Sequence, residues 1–266
     1  MLGSIRNLYR PIQPSVSSKI PFVTYQEFLP HKALQSYIYC FWRLKSADTI
    51  AKPFSYRIVS DGCIDVFFQL NDTKTSFAMG FCKEYTVYDL GNNFDYIGVR
   101  FLPSMFPQLF KISAIELSNV CESLDTVLPK VASYIQSRFY AKMCEQEIIE
   151  ELDNYFLDVV SKQDIILDTR FYQAMELILL EQGVLELDFS TGISARQLRR
   201  MFHYYLGQNA KTFAKVVRFQ NILRAKPTFT SLKQHKIFYD LGYFDQSHFI
   251  KDFKSFYGVT PTQAFR

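Results

Sequence analysis

The sequence predicts an α+β protein: a small β-barrel or β-sandwich with attached helices in the N-terminal part, then an all-α C-terminal part. Three observations predict it. Short β-rich runs separated by turn residues occupy the stretch up to Leu102. From Ser104 onward the apolar period becomes helical. Near the C-terminus a capped amphipathic helix with a basic outer face occurs twice.

Met1–Val23 contains Pro and Ser and reads as loosely held. Leu29–Trp42 passes from a capped-looking helix start into an aromatic strand, with Tyr37–Leu44 rich in β-formers. Asp61-Gly62 reads as a turn, Ile64–Leu70 as a strand and Asn71-Asp72 as the next turn. Thr75–Phe81, Tyr85–Leu90 and Tyr96–Leu102 are further strands, the last two divided by Gly91-Asn92-Asn93. Within Ser104–Val160 the clearest helix is Glu145–Val160. Its Ile148, Leu152, Tyr155, Phe156 and Val159 share one face, while Glu147, Glu150, Glu151, Asp153 and Asp158 lie mostly off it. That apolar face suits packing on its own domain or a dimer seam. Ser161–Thr169 reads as a linker, with Thr169 capping a helix from Phe171 to Gln182 that Gly183 ends.

In the C-terminal part, Ser194 is an N-cap, and Leu198, Met201, Phe202 and Tyr205 form a buried stripe that Gly207 closes. Asp245 caps a second such helix with Phe249, Phe253 and Phe256 inside and Gly258 at its end. Thr260-Pro261 then opens a final helix. Between the copies, Lys211–Ala225 reads as one long helix with Phe213, Val216, Val217 and Leu223 inward. Capped helices of this kind, after short glycine-containing turns, make two helix-turn-helix units, whose second helices suit a DNA major groove.

Composition agrees. The chain has 266 residues, 48% hydrophobic and 21% charged, so it is globular and long enough for two domains. Net charge is only +4, yet residues 196–266 hold 13 Lys+Arg against 3 Asp+Glu, which marks the end that would meet a polyanion. A solvated basic face without a partner is the plainer reading of charge alone. No run of about eighteen apolar residues is present. Met1–Lys19 has no signal-peptide core, so the protein is expected in the cytoplasm without membrane contact.

The residues Gly242, Asp245, Ser247, His248, Phe249, Phe253, Gly258, Thr260 and Pro261 closely resemble the C-terminal signature of the AraC/XylS family of transcription regulators. Leu34, Tyr37, Ile38, Phe41-Trp42, Asp61-Gly62, Phe67, Gly80 and Gly98–Pro103 more loosely resemble the N-terminal sensor-type domain of one branch of that family. The resemblance implies residues 1–161 as a sensor or dimerisation domain and 170–266 as the DNA-binding domain. In the latter, two helix-turn-helix units joined by a long helix reach successive groove segments roughly 34 Å apart. It further implies promoter DNA, RNA polymerase, a second copy of the chain and an unidentified small effector as partners.

Helix phase and resemblance together place Arg196, Arg199 and Arg200 of the first copy toward bases, and Gln246, Ser247 and Lys251 of the second, with Ile250 beside them. Arginine can bridge guanine O6 and N7, glutamine can bridge adenine N6 and N7, and Ile250 can meet a thymine methyl. Lys254, His203, Lys211 and Lys215 suit phosphate. The chain departs from the family at Asp188 and Phe238, where a small residue usually stands. A larger or charged side chain there would shift either unit. A non-specific architectural DNA-binding or interaction protein is therefore the competing class.

No enzyme site emerges. There is no nucleophile elbow, P-loop or dinucleotide fingerprint, and Asp61 has a turn role that explains its spacing from Asp65. Cys40, Cys63, Cys82, Cys121 and Cys144 lack metal-ligand spacing, and the N-terminal half offers one histidine, His31. No cofactor or metal is expected.

Overall fold

The computed structural model describes residues 2–14, 21–47, 49–184, 192–225, 239 and 242–265. The N-terminal part is built on a six-stranded antiparallel sheet in the order β1-β2-β7-β4-β5-β8. Its strands are β1 (Val23–Phe28), β2 (Ile38–Ser46), β4 (Ile64–Gln69), β5 (Asp72–Met79), β7 (Asp95–Phe101) and β8 (Cys121–Ser123). A separate antiparallel ribbon pairs β3 (Ser55–Ile58) with β6 (Thr86–Asp89). The predicted α+β class holds, in sandwich-like rather than closed form.

Strand pairing sorts the side chains onto two faces. Phe41, Val66, Phe68, Ile97, Val99 and Phe101 face one way and join the main core. That core is completed by α2 (Met105–Phe110), α3 (Leu124–Val127), α4 (Pro129–Arg138) and α5 (Glu145–Ser161). Phe156 of α5 sits 5.7 Å from the Phe101 ring and 6.5 Å from that of Phe41. With Ile148 and Leu152 also buried, the inner part of the α5 stripe packs on its own sheet and is not a free dimer seam. The opposite face carries Trp42, Leu44, Asp65, Phe67, Phe77, Tyr96 and Arg100, and the β3–β6 ribbon roofs it.

The N-terminal segment is more ordered than its composition suggests. Residues Leu2–Leu8 form α1, which packs on α6 (Thr169–Leu180). Arg6 donates to the carbonyls of Gln35, Ile38 and Tyr39. Tyr9 is buried and donates to the Asp61 carbonyl. Gln13 exchanges two 3.0 Å bonds with the Val59 backbone and donates to Asp61 Oδ2 at 2.8 Å. Composition could not show this order, because the segment is held by groups far along the chain.

Two other expectations change in detail. Asp168, not Thr169, caps α6, accepting from the Arg170 amide at 3.0 Å. β1, β3 and the three-residue β8 are additional strands. The Asp61-Gly62 turn is as expected: Gly62 has φ +70°, and Asp61 Oδ1 accepts from the Cys63 amide at 3.0 Å.

Candidate nucleic-acid interface

The C-terminal part is helical: α6, α7 (Ala195–Leu206), α8 (Ala210–Ala225), α9 (Gln246–Tyr257) and α10 (Pro261–Ala264). The capping rules act as the sequence demanded. Ser194 accepts from the Gln197 amide at 3.2 Å, and Asp245 accepts from the His248 amide at 2.7 Å. Gly207 and Gly258 end their helices in the left-handed conformation. Thr260 and Gln263 form a capping box around Pro261.

Leu198, Phe202 and Leu206 bury the inner stripe of α7, and Phe249, Phe253 and Phe256 that of α9. Phe202 meets Phe171 of α6 at 5.1 Å, and Phe253 meets Phe219 of α8 at 5.5 Å. The expected long helix α8 buries Phe213, Val216, Val217 and Leu223. Packing of this kind fixes the outward faces. Arg196, Arg199 and Arg200 stand exposed on α7; Gln246, Ser247, Lys251 and Lys254 stand exposed on α9. Ile250 is half-buried against the core, so less of it is free than the sequence suggested. Asp188 and Phe238, the two departures from the family pattern, lie outside the described residues.

Part of the basic charge is engaged internally. Lys215, expected at phosphate, pairs with the buried Asp252 at 3.0 Å, and His248 Nε2 lies 3.4 Å from the other oxygen of that carboxylate. Burying the Asp252 carboxylate between the helices requires such a counter-charge. Arg218 of α8 donates to the carbonyls of Gly183 at 2.7 Å and Gly242 at 3.0 Å, with its guanidinium 4.9 Å from the Tyr243 ring. One arginine thus ties α8 to chain on either side of it. Nothing in its spacing distinguished it from a phosphate contact.

α7 and α9 have different neighbours in the N-terminal part. Beside α7, Ser113 and Ile115 form the far wall of an open concavity of about 710 Å³ whose near wall holds Arg196, Arg199 and Arg200. At the end of α7, a Cβ on Gly207 would lie 2.6 Å from the Ala114 carbonyl oxygen, and Gln208 donates to Ser118. The end of α9 instead touches the ribbon. The Ser255 carbonyl accepts from the Tyr85 amide at 3.2 Å, and Arg57 of β3 lies over the rings of Tyr85 and Tyr257 at 5.8 and 5.9 Å.

Between the ribbon and the sheet lies a cavity of about 320 Å³. Trp42, Phe67, Phe77 and Tyr96 line it from the sheet, Tyr56 and Tyr88 from the ribbon. Gly98 makes the floor possible: it pairs with both Trp42 and Phe67, and a Cβ there would lie 2.0 Å from the indole. One end of the floor is polar. Asp65 accepts from Trp42 Nε1 at 3.1 Å and from Arg100 Nε and Nη2 at 3.1 and 2.9 Å. Burial pushes the Asp65 carboxyl up to about 6 against the pull of Arg100. Asp61 lies 3.6 Å from Arg100 Nε and Glu27 3.7 Å from Nη1, which has no hydrogen-bond partner. Strand periodicity foretold the strands but not this cavity, which arises from their register.

Residues 190–266 match the family model of a helix-turn-helix domain, and residues 26–123 match that of a domain of unknown function, DUF6597. The matched segments contain α7, α9 and the whole six-stranded sheet apart from the start of β1. The matched model and the exposed helices thus define a DNA-binding domain of helix-turn-helix class in the C-terminal part. That helix-turn-helix domain is of the AraC type, and a DUF6597 domain precedes it in the N-terminal part. No curated protein matches the chain by sequence. Among solved structures, ToxT from Vibrio cholerae O395 aligns over 92% of this chain and 98% of its own, at 11% identity and a TM-score of 0.42. ToxT from the same strain bound to (E)-4-(8-methylnaphthalen-1-yl)but-3-enoic acid aligns over 91% and 98%, at 12% identity and a TM-score of 0.43. Among the described residues no helix is long and apolar enough to cross a membrane.

Proposed function

We propose that the protein reads a promoter operator in the cytoplasm, with α7 and α9 as its two recognition helices and the N-terminal part holding a small effector. The observation that carries the reading is the exposed face of each helix, polar or basic and backed by a buried apolar stripe. Arg196, Arg199 and Arg200 serve as guanine readers, Gln246 as an adenine reader, and Ser247 and Lys251 as adjacent base-edge contacts. Ile250 gives a thymine methyl its exposed part. Lys254 and Lys211 neutralise phosphates. A second copy of the chain and RNA polymerase are the remaining partners of this reading.

An effector in the roofed cavity would change the placement of α9, because the roof strand β3 serves both sides. Tyr56 and Ile58 line the cavity, while Arg57 between them lies over Tyr257 of α9. Ligands shift such an equilibrium only through a differential affinity for the two arrangements.

A binding titration of the full protein tests the reading, using DNA from its own upstream region against a scrambled duplex at two salt concentrations. A preference of roughly 10³-fold or more with a steep salt slope is expected. The same slope without preference would leave an architectural protein that holds phosphates alone.

A further inference from the structure

The cavity under the β3–β6 ribbon has a definite chemical preference. Its walls are aromatic: Trp42, Tyr56, Phe67, Phe77, Tyr88 and Tyr96. Its ionisable lining is Asp65, Asp89 and Arg100, together with the tyrosines and Cys121. Burial holds the Cys121 thiol up at about 11 and lifts the phenols of Tyr56, Tyr88 and Tyr96, so these stay neutral. The single guanidinium is more than matched. Asp65 takes two of its nitrogens, Asp61 lies at 3.6 Å and Glu27 at 3.7 Å. Asp89 adds a further negative charge at the exposed rim. The polar end of the cavity is thus net negative, and its walls offer ring faces that carry negative quadrupole potential.

An anion would enter against that charge, and the one guanidinium nitrogen without a hydrogen-bond partner, Arg100 Nη1, already has Glu27 at 3.7 Å. A purely apolar molecule would leave the charge unanswered. A cation with an apolar body gains from both the rings and the carboxylates.

We infer that this cavity takes a lipophilic organic cation, a quaternary ammonium or protonated amine on an aromatic or branched apolar body. The inference rests on the reading of the N-terminal part as an effector-binding domain and names the class of effector. Trp42 is the one tryptophan in the chain and stands in the cavity wall, so its emission reports occupancy directly.

The test titrates the full-length protein with phenyltrimethylammonium, with tert-butylbenzene as the uncharged molecule of the same shape, and with benzenesulfonate as the anion. Trp42 emission should change saturably with the cation, at an affinity about ten-fold or more above that of the uncharged isostere. Two surface-tolerant variants keep the test independent of folding. Asp89→Asn removes the rim charge and Tyr96→Leu removes a half-buried ring; each should lower the cation-to-neutral ratio by about three-fold. Equal or tighter binding of the neutral or anionic probe overturns the inference, and so does the absence of any response to the cation. A cation response without any change in DNA affinity would instead remove the regulatory role of the cavity and leave its ligand class standing.

Discussion

α7 and α9 share a plan of N-cap, apolar inner stripe, polar outer face and left-handed glycine, yet the N-terminal part holds them by different means. α7 is anchored at its end by a backbone approach: Gly207 lies against the Ala114 carbonyl, and the neighbouring Gln208 bonds Ser118. α9 is touched by the ribbon that roofs the cavity, through Tyr85 and Arg57. Gly207 meets backbone at the Ala114 carbonyl, whereas Gly258 at the end of α9 meets the Tyr85 ring, with one backbone hydrogen bond, Tyr85 to Ser255, beside it. Two helices of similar plan in one chain are thus seated on different kinds of surface, one on backbone and one largely on side chains. In the proposed function the first helix is the reference and the second is the one an effector moves.

The comparison is broken most directly at the α7 anchor. Gly207→Val combines φ +75° with a collision against backbone, and about 3 kcal/mol or more of stability should be lost in urea unfolding. Gly192→Val is the control, with φ +72° and nothing within 4 Å of the added carbon, and should cost only about 1–2 kcal/mol. Equal losses would mean that strain alone matters at Gly207 and that α7 is not anchored there.

Next in size is the reading itself. Arg199→Ala is expected to weaken operator binding by about 1–3 kcal/mol and to relax preference at one base pair. Gln246→Ala should cost less than Arg199→Ala if the fixed helix does most of the reading. A larger loss at Gln246, measured by fluorescence anisotropy on the same duplex, would reverse the roles of the two helices.

Arg57→Met tests the α9 contact. Stability should fall by only about 0.5–1 kcal/mol, since two cation–π contacts at a partly exposed site are lost. Footprinting should nevertheless show weaker protection of the half-site under α9, with that under α7 retained. Smallest is Lys254→Ala, which should weaken binding to all sequences alike and reduce the salt slope by about one.

Much of the DNA-facing half was legible because capping, glycine termination and helical period are local signals. Ser194, Asp245, Gly207 and Gly258 carry them within a few residues of where they act. The strands from β4 to β7 announced themselves by β-formers between turn residues, and β2 by its aromatic run. What stayed hidden depends on distant partners. Lys215 resembled any exposed lysine until Asp252 was brought within 3.0 Å, 37 positions away in sequence. α1 follows a helical pattern too short to stand alone, and its order comes from α6 and the first turn of β2. The cavity needed the register that puts Gly98 between Trp42 and Phe67.

Gln220 has a consequence for how the chain is made. Fully buried in α8, it donates to the Ser60 carbonyl at 2.7 Å and accepts from the Ile12 amide at 2.8 Å. Ile12 therefore leaves the ribosome 208 residues before the side chain that satisfies its amide. At ordinary translation speed that is a wait of roughly ten to forty seconds, during which the segment around Ile12 must stay unclosed. The sheet can assemble in the interval, but its seam with α8 closes only once α8 has been made. Sealing of the N-terminal part therefore waits on the helix that lies between α7 and α9, so the two parts of the molecule are tied together during its making.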